Sequence, residues 1–268
     1  MRSRRVPTGP ARVVFLAVCA WLAALLVVPL GALLWTVLGS AGAVLAALTT
    51  ATALDALLRS LGVALACIVL NGVFGVAGAV VLVRERFVGR RLLDAFVDLP
   101  LALSPVMTGL GFLLVFGRNG VLQPLLGGVQ VAFAWPSVLL ATLFVTLPFT
   151  LREVALVLEE IGDAEEHAAA TLGASAWQTF RRVTLPNVRG GLVVGTTLTA
   201  ARALGEFGAV LVVGGAVANR TETATTFVHS AIEERQEPAA YGMALLLAAA
   251  AIALLFVLQR DRPLATRE

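Results

Sequence analysis

Lysine is absent from this sequence of 268 residues, and all twenty of its basic residues are arginine. Two kinds of chemistry are therefore excluded for the chain acting alone. A Walker A loop needs its lysine to reach the phosphates of a nucleotide, and Schiff-base catalysis needs a lysine amine. Any ATP used in the work of this protein must be hydrolysed by a partner.

Cysteine and histidine are also scarce. Cys19 and Cys67 lie inside apolar runs, where a thiol behaves as a small buried hydrophobe, so no disulfide framework or CxxC site is predicted. His167 and His229 have no Cys, Asp or Glu neighbours at a convincing ligand spacing. The sequence contains no GxSxG or HExxH pattern. We expect no catalytic residue, no metal site and no cofactor bound by this chain.

Charge is low. Charged residues make up 14% of the sequence and hydrophobic residues 59%, with a mean hydropathy of +0.90, whereas soluble domains carry about 25% charged residues. The main solvent of the chain must be membrane lipid. The net charge of +3 does not indicate nucleic acid as a partner, because the arginines are spread through the loops between apolar runs.

Six apolar segments have the length of about 20 residues that spans a bilayer. They lack the alternation of barrel strands, and lipid admits only helices or closed barrels. The first is longer than the core of a cleavable signal peptide, so we interpret it as a retained span. The sequence predicts an all-α polytopic membrane protein with six transmembrane helices, at 13–38, 57–83, 95–116, 132–151, 190–217 and 239–258.

The arginines predict the orientation, because cytoplasmic loops retain positive charge. With the N-terminus inside, fifteen arginines fall on the cytoplasmic side, four on the opposite side and one, Arg202, within a span. Both tails, 1–12 and 259–268, are therefore expected in the cytoplasm, together with the loop 152–189. This arrangement places the protein in the cytoplasmic (inner) cell membrane as a multi-pass protein.

The third apolar segment contains several helix-breaking residues. Asp98-Leu99-Pro100 opens it, Ser104-Pro105 follows, and Gly109 and Gly111 come soon after. Proline kinks a helix, and membranes tolerate such breaks only where protein or a water-filled cavity covers the freed backbone groups. The segment is either a kinked packing helix or a helix that lines a pathway. The pathway interpretation selects Ser104, Pro105, Thr108 and Gly109.

The segment 152–189 is the longest polar stretch, and it carries helix signals. A helix to about Leu172 can stop at Gly173, and a second can start at Ser175, with Gln178 completing a capping box. Pro186 is expected to turn the chain out of helical geometry. The product is a helix-turn-helix knob that binds a partner through exposed aromatics, or a hairpin that lies on the membrane surface.

The residues EEHAAATLGAS at 165–175, followed by VTLP at 183–186, resemble the EAA loop of binding-protein-dependent ABC importers. In that family the short coupling helix of the loop sits in a cleft of the ATPase subunit and transmits its closure to the membrane helices. His167 stands where the family usually has glutamate, and Glu166 is the neighbouring candidate for that electrostatic role. The resemblance implies a set of ATPase-coupling residues: Glu165, Glu166, Ala168, Ala169, Gly173, Trp177, Phe180, Leu185 and Pro186.

The stretches 98–105, 173–187 and 201–210 are similar to the sulfate and molybdate permease branch of that family, and the resemblance covers roughly 55–258. It implies a type I ABC importer transmembrane domain over 55–258. The implied partners are a second permease subunit (the same or a similar chain), two ATPase subunits that hold ATP and Mg²⁺, an extracytoplasmic anion-binding protein and membrane lipid. The expected substrate is sulfate, with molybdate or tungstate as the alternative.

Arg202 and Glu206 are the ionisable pair of the fifth segment, on either side of Gly205. Their four-residue spacing puts them on one helical face, and each would cost about 2.5–3.5 kcal/mol at the bilayer centre. They are a waypoint for an anion, a latch between permeases or a structural ion pair. A secondary transporter or channel would show an inverted repeat or a chain of buried carboxylates, and neither is evident.

Overall fold

The computed structural model describes residues 10–261, except 126 and 128. Residues 1–9 and 262–268 of the two predicted tails lie outside the described residues. Over the described part the chain is helical and contains no strand. The helices are α1 (Pro10–Gly39), α2 (Ala41–Leu48), α3 (Ala51–Arg84), α4 (Arg90–Ala102), α5 (Pro105–Phe116), α6 (Trp135–Ile161), α7 (Ala164–Thr171), α8 (Ala176–Thr179), a π-helix (Phe180–Thr184), α9 (Leu185–Asn187), α10 (Arg189–Leu204), α11 (Gly208–Gly214), α12 (Ala224–Glu233) and α13 (Glu237–Asp261).

Four of the six predicted spans are single continuous helices that are long and apolar enough to cross a membrane: α1, α3, α6 and α13. The other two are broken, as the helix-breaking residues of the third segment had indicated for that segment, while the break in the fifth was not predicted. The third is the pair α4 and α5, bent by 115°, and the fifth is the pair α10 and α11, bent by 55°. Counting each bent pair as one span, the structure has up to six spans.

The break in the third span lies at Ser104, in the extended conformation with a ψ of 138°. Its cause is Pro105, whose ring forces the preceding residue out of the helical region and which has no N–H to donate. Pro105 is well placed to start α5, since proline is favoured in the first turn of a helix. Pro100 lies inside α4 instead.

The centre of the bundle is formed by α3, α6 and α10, which pack against one another through small residues. A Cβ added to Gly195 of α10 would lie 2.7 Å from the Cα of Thr150, and one added to Gly191 would lie 2.6 Å from the carbonyl oxygen of Glu153. Such close approach lets buried hydroxyls join the helices. Thr150 Oγ1 and Thr199 Oγ1 are 2.9 Å apart, and interhelical hydrogen bonds of this kind hold membrane helices together.

The two ends of the bundle have separate apolar cores. At one end, α3, α4, α6 and the residue before α10 meet around Val76, Val97, Leu158 and Val188. At the other, α3, α12 and α13 meet around Ala53, Phe227 and Met243. The apolar side chains of α1 are almost all exposed within this chain, as expected for a helix whose solvent is lipid.

The contact between α6 and α10 predicts a position-specific effect of adding a methyl group. Gly195→Ala should place its Cβ against the α6 backbone and lower the free energy of unfolding by about 1–3 kcal/mol, the usual cost of overpacking. Gly190→Ala, in the same helix, has nothing within 4 Å of its added Cβ, so it should be neutral. Thermal unfolding of both purified variants in detergent measures the difference, and equal melting temperatures would contradict the close packing.

Candidate functional site

The cytoplasmic loop predicted over 152–189 is built from short helical pieces between two long helices. The prediction of one first helix running to about Leu172 was wrong in detail, because α6 continues to Ile161 and the chain then breaks before α7. The break occurs at Gly162, whose φ of +66° lies in the left-handed region, where a residue without Cβ is favoured. The segment from α7 to α9, residues 164–187, therefore forms a separate helical unit after the end of α6, which we call the knob. Its two limbs are α7 and the stretch from α8 to α9.

The turn predicted at Gly173 and the cap predicted at Ser175 are confirmed. Gly173 has a φ of +83°, and the Ala174 and Gly173 amides donate to the carbonyls of Ala169 and Ala170 at 3.1 and 3.0 Å. These two bonds form a Schellman motif. Ser175 Oγ accepts from the Gln178 amide at 3.3 Å, and Gln178 Oε1 accepts from the Ser175 amide at 2.8 Å, which is the capping box.

The expected turn at Leu185-Pro186 does not occur. Leu185 keeps helical angles, with φ of −62° and ψ of −43°. This is possible because the turn before the proline is a π-helix, which has more residues per turn than an α-helix. The Leu185 amide donates to the carbonyl of Phe180, five residues back, in the π-helix. A π-turn of this kind adjusts the hydrogen-bond ladder where a proline lacks its donor. The chain passes almost directly through α9 into α10.

The outer surface of the knob is apolar at several points. Trp177 is 67% exposed and stacks on Phe180, with ring centroids 5.6 Å apart, while Phe180 also packs against the core at this end of the bundle. Ala168 is exposed and Ala169 half-buried. A groove of about 300 Å³ runs between the two limbs of the knob, lined by Ala169, Leu172, Gly173, Ala174, Gln178, Thr179, Arg182 and Val183.

The two glutamates at the start of α7 point to partners in this chain. Glu166 is 19% exposed at its side chain and lies 2.8 Å from Nε of Arg84. Its other oxygen accepts from the Thr184 hydroxyl at 2.7 Å, and Glu165 accepts from Nδ2 of Asn187 at 2.6 Å. The His167 side chain is 71% exposed and lies 3.5 Å from Oδ2 of Asp163, and Glu165 is exposed as well. Sequence reasoning did not single out Arg84, Thr184 or Asn187.

Of the predicted pathway residues of the third span, Pro105, Thr108 and Gly109 lie on α5, which packs against α11, and Ser104 precedes this helix. A Cβ added to Gly109 would lie 2.7 Å from Cβ of Val212, so the glycine permits this close contact. Thr108 is 4% exposed, and its hydroxyl has no hydrogen-bond partner within the described part of the chain. Ser104 is exposed and caps no backbone N–H with its side chain. A cavity of about 250 Å³ beside them is lined by Leu103, Met107, Thr108, Gly111, Phe112, Val115, Phe116 and Phe144.

The ion pair predicted in the fifth span is present, with Nη1 of Arg202 2.7 Å from Oε2 of Glu206. The two residues do not share one helix, as the spacing had predicted, because α10 ends at Leu204 and Gly205 is outside it. Glu206 is 2% exposed, and Oε1 accepts from the Ala209 amide at 3.0 Å. The carboxylate therefore satisfies a donor that the break leaves free.

The two broken spans meet at their breaks. Gly208, the first residue of α11, approaches Pro105, the first residue of α5, so closely that an added Cβ would lie 2.9 Å from Cβ of Pro105. The structure thus brings Pro105 and Gly109 together with the segment that follows Glu206. This region is separate from the knob, so the predicted residues fall into two groups rather than one.

A second arginine anchors the first limb of the third span. Arg152 of α6 binds both carboxylate oxygens of Asp98 at 2.8 Å and Oδ1 of Asp94 at 2.6 Å. Such a paired geometry is specific to arginine. The sequence placed Asp98 at the start of the third segment, but nothing in the local pattern indicated Arg152 as its partner.

At the opposite end of the bundle, the loop before α12 is tied to α3. Arg59 pairs with Asp55 at 3.2 Å and donates to the carbonyl of Asn219. Glu222 is buried in the same loop, and burial raises the pKa of its carboxyl above the ordinary value, an effect that Glu234 reinforces and that Ser230 and Arg59 oppose. Glu222 is 5% exposed, so this loop contains a more deeply buried carboxyl than Glu166 of the knob, whose side chain is 19% exposed.

Comparison with known proteins decides the family. The family described as the inner membrane component of binding-protein-dependent transport systems matches residues 71–260, which include both broken spans and the knob. The chain belongs to this family.

The relatives and solved structures agree with this membership. The permease is 50% identical over 180 residues to the sulfate transport system permease protein CysW of Synechococcus elongatus, covering 66% of this chain and 63% of that protein. It is 42% identical over 206 residues to CysW of Escherichia coli, covering 76% of this chain and 71% of that protein. A bacterial ABC transporter involved in alginate import has a chain with a TM-score of 0.77 at 16% identity, with 95% of both chains covered. The fold is therefore that of an ABC importer permease.

The turn at Gly173 of the permease predicts a local opening of the knob when that turn is strained. Gly173→Val should cost about 1–3 kcal/mol because a branched side chain disfavours positive φ, which corresponds to about 5- to 150-fold more opening. Limited trypsin digestion at Arg181 and Arg182 measures it. Gly173→Asn is the matched control, since asparagine tolerates this conformation, and equal cleavage rates for the two variants would argue against the strained turn.

Proposed function

We propose that this chain is one permease subunit of an ATP-driven importer that moves sulfate across the cytoplasmic membrane by alternating access. The observation that carries the proposal is the similarity to proteins named sulfate transport system permeases, at 42–50% identity. The aligned part spans 63% of the length of the Synechococcus protein. The complex we propose contains a second permease subunit, two ATPase subunits and an extracytoplasmic sulfate-binding protein.

The knob is the surface we propose for the ATPase. Trp177 and Leu172 are 67% and 88% exposed, beside a groove with walls held by the Schellman turn and the capping box. Exposed apolar groups of this kind, rimmed by polar residues, are typical of partner sites. ATP and Mg²⁺ would bind to the ATPase and not to this chain. The arginine distribution supports a cytoplasmic location for the knob and for both termini.

The meeting point of the two broken spans is the region we propose for sulfate. A dianion needs donors without a competing negative charge, such as hydroxyls, backbone amides and helix N-termini. Thr108 supplies a hydroxyl with no partner among the described residues, and the Arg202 side chain is 32% exposed while its partner Glu206 is buried. Ser104 lies at the N-terminus of α5. The role is transit, so weak contacts are sufficient.

Uptake of radiolabelled sulfate into proteoliposomes tests the function. The purified complex, with its ATPase subunits inside and the binding protein outside, should accumulate sulfate only when ATP is present. Excess unlabelled sulfate should compete, and excess molybdate or tungstate should compete less at equal concentration. Uptake without ATP would refute the proposal that transport is driven by ATP. Stronger competition by molybdate than by sulfate would indicate that molybdate is the substrate.

The pair Arg202 and Glu206 predicts a separation between assembly and transport. Arg202→Ala strands a buried carboxylate, and breaking a buried pair costs about 3–5 kcal/mol, although the partial exposure of Arg202 reduces this. The double variant Arg202→Ala, Glu206→Gln removes both charges and keeps an acceptor for the Ala209 amide. It should assemble normally while sulfate uptake falls severalfold, because the anion has lost a cationic contact.

The control for that experiment is Glu206→Gln alone, which keeps Arg202 and the acceptor. Its uptake should exceed that of the double variant at equal amounts of assembled complex. If the double variant transports sulfate at the wild-type rate, Arg202 has no place in the pathway and the pair is purely structural.

A further inference from the structure

Arg84 joins three separate parts of the cytoplasmic end. It is the last residue of α3, and its guanidinium donates to the carbonyl oxygens of Leu158 at 3.1 Å and Gly162 at 2.6 Å and to Glu166 at 2.8 Å. Leu158 belongs to α6, Gly162 to the break after it, and Glu166 to α7. A single side chain thus connects the end of one membrane helix, the end of another and the knob.

Glu166 extends this connection to the far limb of the knob. One of its oxygens binds Arg84, and the other accepts from the hydroxyl of Thr184, a residue only 4% exposed in the π-helix. Asn187 donates to Glu165 in a parallel contact. Contacts within this chain therefore hold α7 against the π-helix and α9, and also against the end of α3.

The guanidinium geometry makes the connection stiff. The planar guanidinium of arginine donates in several fixed directions at once. Here its three nitrogens donate to two backbone carbonyls and to one side-chain carboxylate, each in a different segment of the chain. The Arg84 side chain is 16% exposed and the Glu166 side chain 19%, so water screens the pair less than it would screen a surface pair. Removing either partner leaves a poorly solvated charge.

We propose that Arg84 and Glu166 form a permanent staple, which keeps the knob, α3 and α6 a single rigid unit throughout the transport cycle. A displacement of the outer surface of the knob then moves the two membrane helices directly. This rests on the proposed function, since it assumes that an ATPase displaces the knob. Glu166 is accordingly a positioning residue that acts through Arg84, and it does not contact the ATPase.

The first test separates positioning from loss of folding. In the reconstituted complex, Glu166→Ala should leave ATP hydrolysis within about twofold of wild type and lower the sulfate moved per ATP about tenfold, within the range of coupling between two sites. Glu166→Gln keeps an oxygen acceptor and should recover most of that ratio. Glu160→Ala is the matched control, because Glu160 is exposed and has no hydrogen bond or ion pair among the described residues. An unchanged ratio in Glu166→Ala would overturn the proposal.

The second test asks whether the staple stays closed. Cys19 and Cys67 are first replaced by alanine, and Arg84→Cys and Glu166→Cys are then joined by a short bifunctional thiol reagent that dithiothreitol releases. A permanent staple predicts that joining the two positions raises the sulfate moved per ATP above that of the unjoined variant. A joined complex that transports no better, or worse, would show that the contact must open.

The two tests fail differently from the proposed function. If the wild-type complex takes up no sulfate or needs no ATP, the function itself is wrong. If the wild-type complex transports sulfate but Glu166→Ala transports as much per ATP, only the staple is wrong. ATPase retention during purification, measured for each variant, shows whether a low ratio comes from uncoupling, as the proposal expects, or from loss of the partner, which would contradict it.

Discussion

Backbone hydrogen bonding in lipid is the constraint on which this structure depends. A peptide group without a partner costs several kcal/mol in the bilayer core, so a broken span is stable only where the protein itself covers the break. Here both broken spans meet, with Gly208 against Pro105. The Glu206 carboxylate accepts from Ala209, and the Glu206 carbonyl accepts from the Thr225 hydroxyl. The Glu206 side chain is buried there, whereas Ser104 and Gly205 are exposed within this chain.

At the centre of the bundle, small and polar residues hold α3, α6 and α10 together, while the two ends have apolar cores. Lipid provides no hydrophobic drive for helix association, so close packing and interhelical hydrogen bonds take its place. Asn71 donates to Thr146 at 2.8 Å, and Thr150 pairs with Thr199. These contacts join α3, α6 and α10 in the interior. Arg84 and Arg152 add ion pairs at the end of the bundle that carries the knob.

The two sites therefore have different physical character. The knob is a set of short helices with turns fixed by local hydrogen bonds, and its outer face is open. At the meeting point of the breaks, Thr108 and Glu206 are buried, while Ser104 and Gly205 are exposed. The helix α6 lies next to both, because the knob follows its C-terminal end and α6 packs against α4, α5 and α11.

Local features were predictable from the sequence because their partners are near in the chain. The Gly173 turn and the Ser175–Gln178 cap depend on contacts within five residues, and the pair Arg202 and Glu206 lies within four. The breaks at Ser104 and Gly205 could be predicted only in part from the sequence. A proline marks the first, but its angle of 115° depends on how α5 packs against α11. The helical path through Pro186 was missed, since a π-turn leaves no simple composition signal.

The sequence by itself determined that the chain is a membrane-spanning helical protein of the ABC importer type, because hydrophobic length, helix caps and the EAA pattern are all written in consecutive residues. Tertiary structure alone decided which way the glutamates of the knob face. Arg84 and Glu166 are 82 positions apart, and no local pattern tells whether a carboxylate at the start of a helix faces solvent or a distant guanidinium. Only the packing of α3 against α6 brings them within hydrogen-bonding distance.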